Sequence, residues 1–244
     1  MVKYMFLSFL TSPFKDWSLQ KIVDWVSANG FKGLEISVSP TVKHIDVDYV
    51  SSGGAGEIRR LFSERELEIT SLAFYSIDIL ENPKEQKFLL KVIEAASALN
   101  VKVVCALAGS SVKGKDKIRT LREDFPKVFA PIVDVAKEHD VKIALENWYA
   151  MLLQGLAHFQ EAFKNIPDRI LGLNFDPSHL LWQQIDYIEA VHKFGDRIYH
   201  THAKDTEVLP FKLRYVGVLG RGWWRYRIPG EYRVGQINWR AYIT

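Results

Sequence analysis

Residues 125–146, FPKVFAPIVDVAKEHDVKIALE, contain one complete unit of the pattern that decides the fold. Apolar residues recur at helical spacing over Phe125–Asp140, and His139 and Asp140 end the helix just before a short apolar run, Lys142–Glu146. A helix joined by a very short connection to a buried strand is typical of sheets whose faces are covered by helices. The stretch therefore predicts one repeat of an α/β fold.

The same unit recurs along the whole chain. Further amphipathic segments cover Ser18–Asn29, Pro83–Asn100 and Asp186–Phe194. Because the repeats are continuous and no Gly-rich nucleotide fingerprint accompanies them, they favour a (β/α)8 TIM barrel over a doubly wound sheet. The cluster Ser51–Gly56 follows no apolar run, which favours a loop or a helix start over a phosphate cradle. The predicted strands are Tyr4–Phe9, Gly33–Ser37, Ile69–Phe74, Val101–Leu107, Lys142–Glu146, Ile170–Phe175 and Arg197–His202.

The end of the sequence sets the expected extent of the barrel. A long polar and aromatic loop follows the seventh strand, and Val234–Thr244 then has the pattern of a helix that is just beginning. Closing an eight-stranded barrel requires further helix and one more strand. We therefore predict a single domain over residues 1–244 that is C-terminally incomplete, ending before its eighth strand. A truncated or frameshifted gene product and a strand supplied by another chain would both account for this.

Composition limits the class of protein. A chain of 244 residues with 48% hydrophobic residues can bury one large core, and a net charge of +3 does not by itself predict nucleic-acid binding. Cys105 lies inside an apolar run and predicts a buried, inert thiol. No run reaches the roughly 18 apolar residues of a membrane span. Met1–Leu10 lacks the basic region and cleavage site of a signal peptide. These features predict a cytoplasmic protein without membrane partners.

The ends of three neighbouring strands carry the candidate chemistry. Glu146, Asp176 and His202 each end an apolar run, and the carboxyl ends of parallel barrel strands meet on one face. Two carboxylates and one imidazole form a mixed donor set suited to Mn²⁺, Mg²⁺, Co²⁺ or Zn²⁺, and a cation would offset the repulsion between the carboxylates. The alternative for Asp176, which precedes Pro177, is a helix N-cap.

Two further histidines lie close to these strand ends. His200 has the same side-chain parity as His202, so both can face the barrel interior; we prefer His202 as the ligand because it lies nearer the end of the strand. His179 follows Asp176 by three residues, which is close enough for contact with a ligand or metal. A structural hydrogen bond is an equal alternative for His179.

The sequence resembles the xylose-isomerase-like TIM-barrel superfamily, which groups sugar phosphate isomerases and epimerases with repair enzymes of the AP endonuclease family 2 type. The resemblance implies that Glu146, Asp176 and His202 bind a divalent metal, that Glu146 is also an acid/base, and that His179 contacts substrate. It also implies a second Glu at the end of an eighth strand, for which the sequence has no counterpart. The resemblance is carried by Leu145–Asn147, by Asn174–His179 with Trp182, by Asp196–Asp205, and by Gly220–Gly222.

The implied reaction is a sugar isomerisation or epimerisation by proton transfer next to a carbonyl through an enediolate, with Glu146 moving the proton. Trp182, Lys204 and Arg221 are the further substrate-binding candidates, although either cation is as well explained as a surface charge. Alternatives are a lyase or hydratase acting on oxidised sugars, a barrel with a vestigial metal site, and a DNA repair nuclease of the endonuclease IV type. The nuclease alternative rests on the aromatic and arginine residues of Arg221–Arg227. The expected partner is a small sugar, nucleic acid is not favoured, and the sequence leaves a homo-oligomer open.

Overall fold

Seven short strands pair in chain order, each parallel to the next, and form one curled sheet. The computed structural model describes residues 5–42 and 44–243. The predicted first strand begins at Tyr4, outside these residues, and its described part forms a strand only at Ser8–Leu10. The prediction of a TIM-type barrel without an eighth parallel strand in the described residues is confirmed. The strands are β1 (Ser8–Leu10), β2 (Gly33–Ser37), β3 (Glu68–Phe74), β4 (Val103–Ala106), β5 (Lys142–Glu146), β6 (Leu171–Phe175) and β7 (Ile198–Thr201).

Helices connect the strands, and the four helices predicted from the sequence are present, as Leu19–Ala28, Pro83–Ala98, Phe125–Glu138 and Tyr187–Phe194. Three of these begin at a side-chain N-cap, supplied by Ser18, Asn82 and Asp186. No helix in the described part of the chain is both long and apolar enough to cross a membrane. The helices are α1 (Leu19–Ala28), α2 (Val47–Tyr49), α3 (Ala55–Ser63), α4 (Pro83–Ala98), α5 (Lys117–Glu123), α6 (Phe125–Glu138), α7 (Leu156–Asn165), α8 (Pro177–Leu181), α9 (Tyr187–Phe194), α10 (Pro210–Val216) and α11 (Trp239–Ile243).

The glycine-rich cluster before α3 is the start of a helix. A π-helical segment, Val50–Gly54, leads directly into α3. Within it Gly53 has a φ of +126°, a backbone conformation that glycine adopts at no steric cost. Of the two interpretations of Ser51–Gly56, the helix start is therefore the observed one.

The segment after β7 is more ordered than the predicted loop. It contains an antiparallel hairpin of β8 (Asp205–Val208) and β9 (Trp224–Arg227), with α10 in the connection. The interpretation as a loop was wrong here because the alternation of aromatic and arginine residues over β9 is only four residues long. Further on, α11 lies within the segment predicted to begin a helix.

The sheet has an apolar outer face and a mixed inner face. Leu34 and Ile36 of β2 are completely buried in the main core that lies between the sheet and the helices, whereas Glu35 between them points the other way, into the barrel. Small inward-facing residues, Ala73, Cys105 and Ala144, form a separate cluster. Cys105 is fully buried and burial raises the pKa of its thiol well above the usual value, as expected of an inert core cysteine.

Candidate functional site

Glu146, Asp176 and His202 meet at the carboxyl ends of β5, β6 and β7. The Nδ1 atom of His202 lies 3.0 Å from Glu146 Oε1 and 4.0 Å from Asp176 Oδ2. All three side chains are largely shielded from solvent: Asp176 is completely buried, and Glu146 and His202 keep 13% and 17% of their side-chain surface exposed. The structure therefore brings together the three residues that the sequence nominated as metal ligands.

The two carboxylate oxygens of Asp176 have different surroundings. Oδ1 caps α8 by accepting from the Ser178 backbone N–H at 2.9 Å and from the Ser178 hydroxyl at 2.5 Å. Oδ2 is buried and accepts no hydrogen bond; Lys204 Nζ lies 2.8 Å away as an ion-pair partner, but outside hydrogen-bond geometry. Capping therefore uses one oxygen of Asp176 and leaves the other facing Glu146 and His202.

A pair of hydrogen bonds fixes the backbone that carries Asp176. The buried Asn147 side chain accepts from the Asp176 N–H at 2.7 Å and donates to the Asp176 carbonyl at 2.8 Å. Since Asn147 directly follows Glu146, these bonds hold the ends of β5 and β6 in one arrangement. The distance between the two carboxylates is thus set by rigid elements and not by loops.

His179 belongs to the same group of side chains. Its Nε2 atom lies 3.6 Å from Glu146 Oε1, 3.5 Å from Asp176 Oδ2 and 3.0 Å from Lys204 Nζ. Its Nδ1 atom lies 2.5 Å from the hydroxyl of Tyr226, on β9. We call Glu146, Asp176, His179, His202 and Lys204 the strand-end cluster.

Behind His202 lies a second polar group, of which the sequence analysis named only His200. Glu35 is only 1% exposed, and its Oε1 accepts from the Tyr75 hydroxyl at 2.5 Å. His200 Nε2 lies 3.2 Å and His202 Nε2 lies 3.4 Å from Glu35 Oε2. Asn174 joins this group, with its side-chain nitrogen 3.1 Å from His202 Nε2 and its oxygen 3.1 Å from His200 Nδ1.

One sequence signal could have found Glu35. A glutamate in the middle of GLEIS, a strand buried at every position, needs a polar or charged partner, because an unpaired buried carboxylate is costly. Tyr75 and Tyr226 offered no comparable signal, since a tyrosine after a strand or in a hairpin is common.

In this site burial and nearby charges shift the pKa values of the acidic and imidazole groups in opposite directions. Burial raises the pKa of Glu146, but the nearby imidazoles of His179 and His202 and the Lys204 charge outweigh it, so the pKa is well below the usual range. Burial acts likewise on Glu35, yet the charges of His202 and His200 bring its pKa down to about 2. For His202 burial favours the neutral ring, whereas Glu35 and Glu146 raise its pKa well above the usual value.

An aromatic wall flanks the strand-end cluster on the side of the hairpin. Trp182 and Trp224 stack with ring centroids 4.4 Å apart and planes 10° apart. Tyr149 contacts both of these rings, and Tyr226 lies 5.0 Å from Trp224, centroid to centroid. We call Tyr149, Trp182, Trp224 and Tyr226 the aromatic wall. Tyr149 and Tyr226 both contact the ring of His179, so the wall, including Trp182, lies beside the strand-end cluster.

The arginines of the hairpin segment are placed differently. Arg225 and Arg227 both pair with Glu207, each at 2.7 Å. Arg221 is exposed, and among the described residues no hydrogen bond or ion pair joins it to the strand-end cluster. The structure thus brings Lys204 and Trp182 to the site and leaves Arg221 outside it.

The donor set fits a divalent cation. Glu146, Asp176 and His179 offer ligand atoms within 4.8 Å of one another, and so do Glu35, His200 and His202. The first group contains the fully buried Asp176 Oδ2, which accepts no hydrogen bond and has only the Lys204 ion pair, and His202 Nδ1 lies 3.0 Å from Glu146 Oε1 and 4.0 Å from Asp176 Oδ2. Carboxylate oxygens mixed with imidazole nitrogens suit Mn²⁺, Co²⁺ or Zn²⁺, and the carboxylates also suit Mg²⁺.

Fold and site together define a parallel α/β barrel whose charged cluster lies at the carboxyl ends of its strands, the face on which barrels of this kind carry their active sites. The chain belongs to the xylose isomerase-like TIM barrel family, whose model matches residues 23–244. The family membership expected from the resemblance is thereby confirmed.

Individual relatives are more distant. The uncharacterized protein YfiH of Bacillus subtilis (strain 168) is 28% identical over 88% of this chain and 77% of its own length. An inosose dehydratase of Clostridium perfringens (strain 13 / Type A) is 22% identical over 89% of this chain and 75% of its own. Among solved structures, the IolI protein with a bound zinc atom superposes with a TM-score of 0.67 and 19% identity, covering 83% of this chain and 74% of that one. The last similarity concerns the fold.

Proposed function

We propose that this protein is a divalent-metal-dependent enzyme that isomerises a small sugar by moving a proton at the carbon next to a carbonyl, with Glu146 as the base. The observation that carries the proposal is the fully buried Asp176 Oδ2, which accepts no hydrogen bond, faces Glu146, His179 and His202, and has the Lys204 ammonium as its ion-pair partner at 2.8 Å. Glu146, Asp176 and His202 would hold the cation. We place this reaction in the cytoplasm, and an assembly of identical chains is compatible with it.

Accessibility distinguishes the roles of the carboxylates. Asp176 is completely buried and Glu35 keeps 2% of its side-chain surface, whereas Glu146 keeps 13%. Because the pKa of Glu146 is held below its usual range, this residue is a carboxylate at neutral pH and can accept a proton. Within the strand-end cluster, Glu146 is therefore the carboxylate best placed to reach a substrate carbon.

The reaction needs the substrate carbonyl to be polarised, and a bound divalent cation supplies that polarisation. Glu146 would take the proton from the adjacent carbon, giving an enediolate; the hydroxyl proton of that carbon passes to the former carbonyl oxygen, and Glu146 returns its own proton to the former carbonyl carbon. One base on one face of the sugar suffices for this isomerisation. Epimerisation needs a second base on the opposite face of the sugar, so isomerisation is the reaction that we propose.

The remaining residues bind and orient the sugar. His179, held by the Tyr226 hydroxyl on one ring nitrogen, presents Nε2 to the cluster beside Lys204 Nζ. Lys204 is 32% exposed and can approach a sugar oxygen that carries developing negative charge. Trp182 and the rest of the aromatic wall offer flat apolar faces for the C–H face of a sugar ring. Arg221 is exposed and would reach a bound sugar only by movement of the loop before β9.

Dehydration of an oxidised sugar is the second candidate. It begins with the same proton abstraction by Glu146 and then needs an acid to protonate the departing hydroxyl. The line of Lys204, His179 and Tyr226, joined by contacts of 3.0 Å and 2.5 Å, offers donors beside the base. The similarity to an inosose dehydratase supports this candidate. The paired state of Arg225 and Arg227 leaves the nuclease alternative with little support.

The test uses solvent deuterium. Protein stripped of metal and protein reloaded with Mn²⁺, Co²⁺, Mg²⁺ or Zn²⁺ are incubated with a panel of aldoses, ketoses and keto-inositols in D₂O and followed by proton NMR. We expect metal-dependent loss of the signal from the proton next to the carbonyl. A new aldose or ketose of the same composition apart from incorporated deuterium then identifies the isomerase, and a product that has lost one water identifies the dehydratase. Absence of both exchange and a new product with every substrate and metal would contradict the proposal.

A further inference from the structure

The buried carboxylate of Glu35 has no place in the chemistry above, yet it lies against one of the residues proposed to hold the cation. Glu35 is on β2 and His202 follows β7, but Glu35 Oε2 and His202 Nε2 are 3.4 Å apart. Glu35 is only 1% exposed, and its Oε2 accepts no hydrogen bond in the structure. A buried carboxylate oxygen without a donor is costly, so its neighbours must supply one.

The imidazole of His202 has two different sides. Nδ1 faces Glu146 and Asp176, whereas Nε2 faces Glu35. A neutral imidazole carries one proton, and only the nitrogen without the proton can ligate a cation. If the proton is on Nε2, it can be donated to Glu35, and the lone pair of Nδ1 points toward the carboxylates of the strand-end cluster.

From this geometry we infer that Glu35 is a positioning residue: it holds the proton of His202 on Nε2 and so presents Nδ1 to the divalent cation. The inference rests on the proposed function. A histidine that ligates a metal through one nitrogen while donating from the other to a carboxylate is a general arrangement, because the carboxylate fixes both the tautomer and the ring orientation.

The arrangement uses the contacts of Glu35 with the two histidines and requires the Asn174 carboxamide to be turned by half a rotation. His200 Nε2, at 3.2 Å, can donate to the same Glu35 Oε2, and His200 Nδ1 then accepts from an amide. In the structure the Asn174 side-chain nitrogen faces His202 Nε2 and donates to the Tyr75 hydroxyl at 3.0 Å, while the side-chain oxygen faces His200 Nδ1. Exchanging the two ends of the carboxamide gives His202 Nε2–H an acceptor and His200 Nδ1 a donor, at the loss of the bond to the Tyr75 hydroxyl. Tyr75 continues to donate to Glu35 Oε1 at 2.5 Å. Both carboxylate oxygens of Glu35 then have donors.

Alternatively, Glu35, His200 and His202 could together bind a second cation. His202 would have to ligate that cation through Nε2 and the first through Nδ1, and a neutral imidazole has one lone pair for ligation. The two uses predict different metal contents, so the experiment below separates them.

The experiment is a double-substitution cycle read by zinc affinity. Zn²⁺ binding to metal-free protein is measured by calorimetry for the wild type, Glu35→Gln, His202→Asn and the double variant. We expect Glu35→Gln to weaken Zn²⁺ binding by about 10- to 100-fold. We expect no further weakening when it is added to His202→Asn, because Glu35 acts through His202. In Zn²⁺-loaded wild type labelled with ¹⁵N-histidine, NMR should place the His202 proton on Nε2.

Several results would overturn the inference. Equal affinity of the wild type and Glu35→Gln, additive losses in the double variant, or a proton on Nδ1 of His202 would each do so while leaving the proposed function intact. A second equivalent of zinc that Glu35→Gln removes would make Glu35 a ligand and not a positioning residue. Failure of the wild type to bind Zn²⁺ would overturn this inference and the metal site of the proposed function together. If Glu35→Gln does not fold, Glu35→Asp, which keeps the charge but shortens the side chain by one methylene, is carried through the same cycle with a smaller expected loss.

Discussion

His202 Nδ1 lies 3.0 Å from Glu146 Oε1, although 56 residues separate them in the sequence. The contact exists because β5 and β7 flank β6 and all three strands run in the same direction. On the other side of the ring, His202 faces the buried Glu35. One imidazole is thus held between two carboxylates, and the predictions below follow from this arrangement.

Replacing Glu146 removes the proposed base. Glu146→Gln keeps the shape of the side chain and should lower the rate of carbon-bound deuterium exchange by about 100- to 10,000-fold. Exchange is measured by proton NMR at saturating metal. The control is Glu94→Gln, an exposed glutamate on α4, which should exchange at the wild-type rate. A Glu146→Gln variant as fast as this control would remove Glu146 from the mechanism.

Replacing Asp176 with Asn separates the roles of its two carboxylate oxygens. Asp176→Asn keeps an oxygen to cap α8, and Asn caps as well as Asp, but the charge on Oδ2 is lost. We expect a loss of metal affinity of at least about 10-fold, with the melting temperature of the metal-free protein within about 4 °C of wild type. Asp186→Asn at the exposed N-cap of α9 is the matched control and should change neither quantity much. Unchanged metal affinity in Asp176→Asn would leave this residue as a cap only.

Acid should destabilise the metal-free protein through Glu35. Its pKa of about 2 in the folded state lies below the ordinary value of 4.5, so its contribution to stability is present above pH 4.5 and lost as the pH falls toward 2. Melting temperatures between pH 2.5 and 6 should therefore fall less steeply in Glu35→Gln than in the wild type. Parallel curves would show that Glu35 gains no stabilisation from its charge. Glu94→Gln should follow the wild-type curve.

The aromatic wall should contribute to substrate binding. Trp224→Ala removes the ring stacked on Trp182 and one face available to a sugar ring. Since aromatic stacking contributes about 0.5–1.5 kcal/mol, we expect KM to rise by about 2- to 13-fold while kcat changes little. Steady-state kinetics on the substrate found by NMR measure both. A fall in kcat with KM unchanged would assign Trp224 to the chemistry or to the stability of the site.

The parallel sheet and the three strand-end residues could be predicted from the sequence because both depend on local patterns. Apolar runs give the strands, and parallel strands place their ends on one face, so Glu146, Asp176 and His202 follow without knowledge of the register. The hairpin of β8 and β9 was missed because four alternating residues carry too weak a periodicity. Because the hairpin was not predicted, Tyr226 was not recognised as a site residue. Tyr226 contacts His179 only because the hairpin folds back over α8.

Glu35 was missed for a different reason. Strand-end reasoning looks for polar residues where an apolar run stops, and Glu35 lies in the middle of one. Its partners come from β7 and from the residue after β3, so its role depends on how the sheet curls. The tautomer of His202 likewise depends on three-dimensional neighbours that no spacing rule gives.

Metal content tests the central claim most directly. Protein stripped with a chelator, incubated in turn with Mn²⁺, Co²⁺, Mg²⁺ and Zn²⁺ and freed of excess ion, is analysed by inductively coupled plasma mass spectrometry beside a Glu146→Gln, Asp176→Asn double variant of confirmed fold. We predict one equivalent of at least one of these ions per wild-type chain and a large loss in the double variant. Wild-type protein that retains none of the four ions, or a double variant that retains as much as the wild type, would contradict the account.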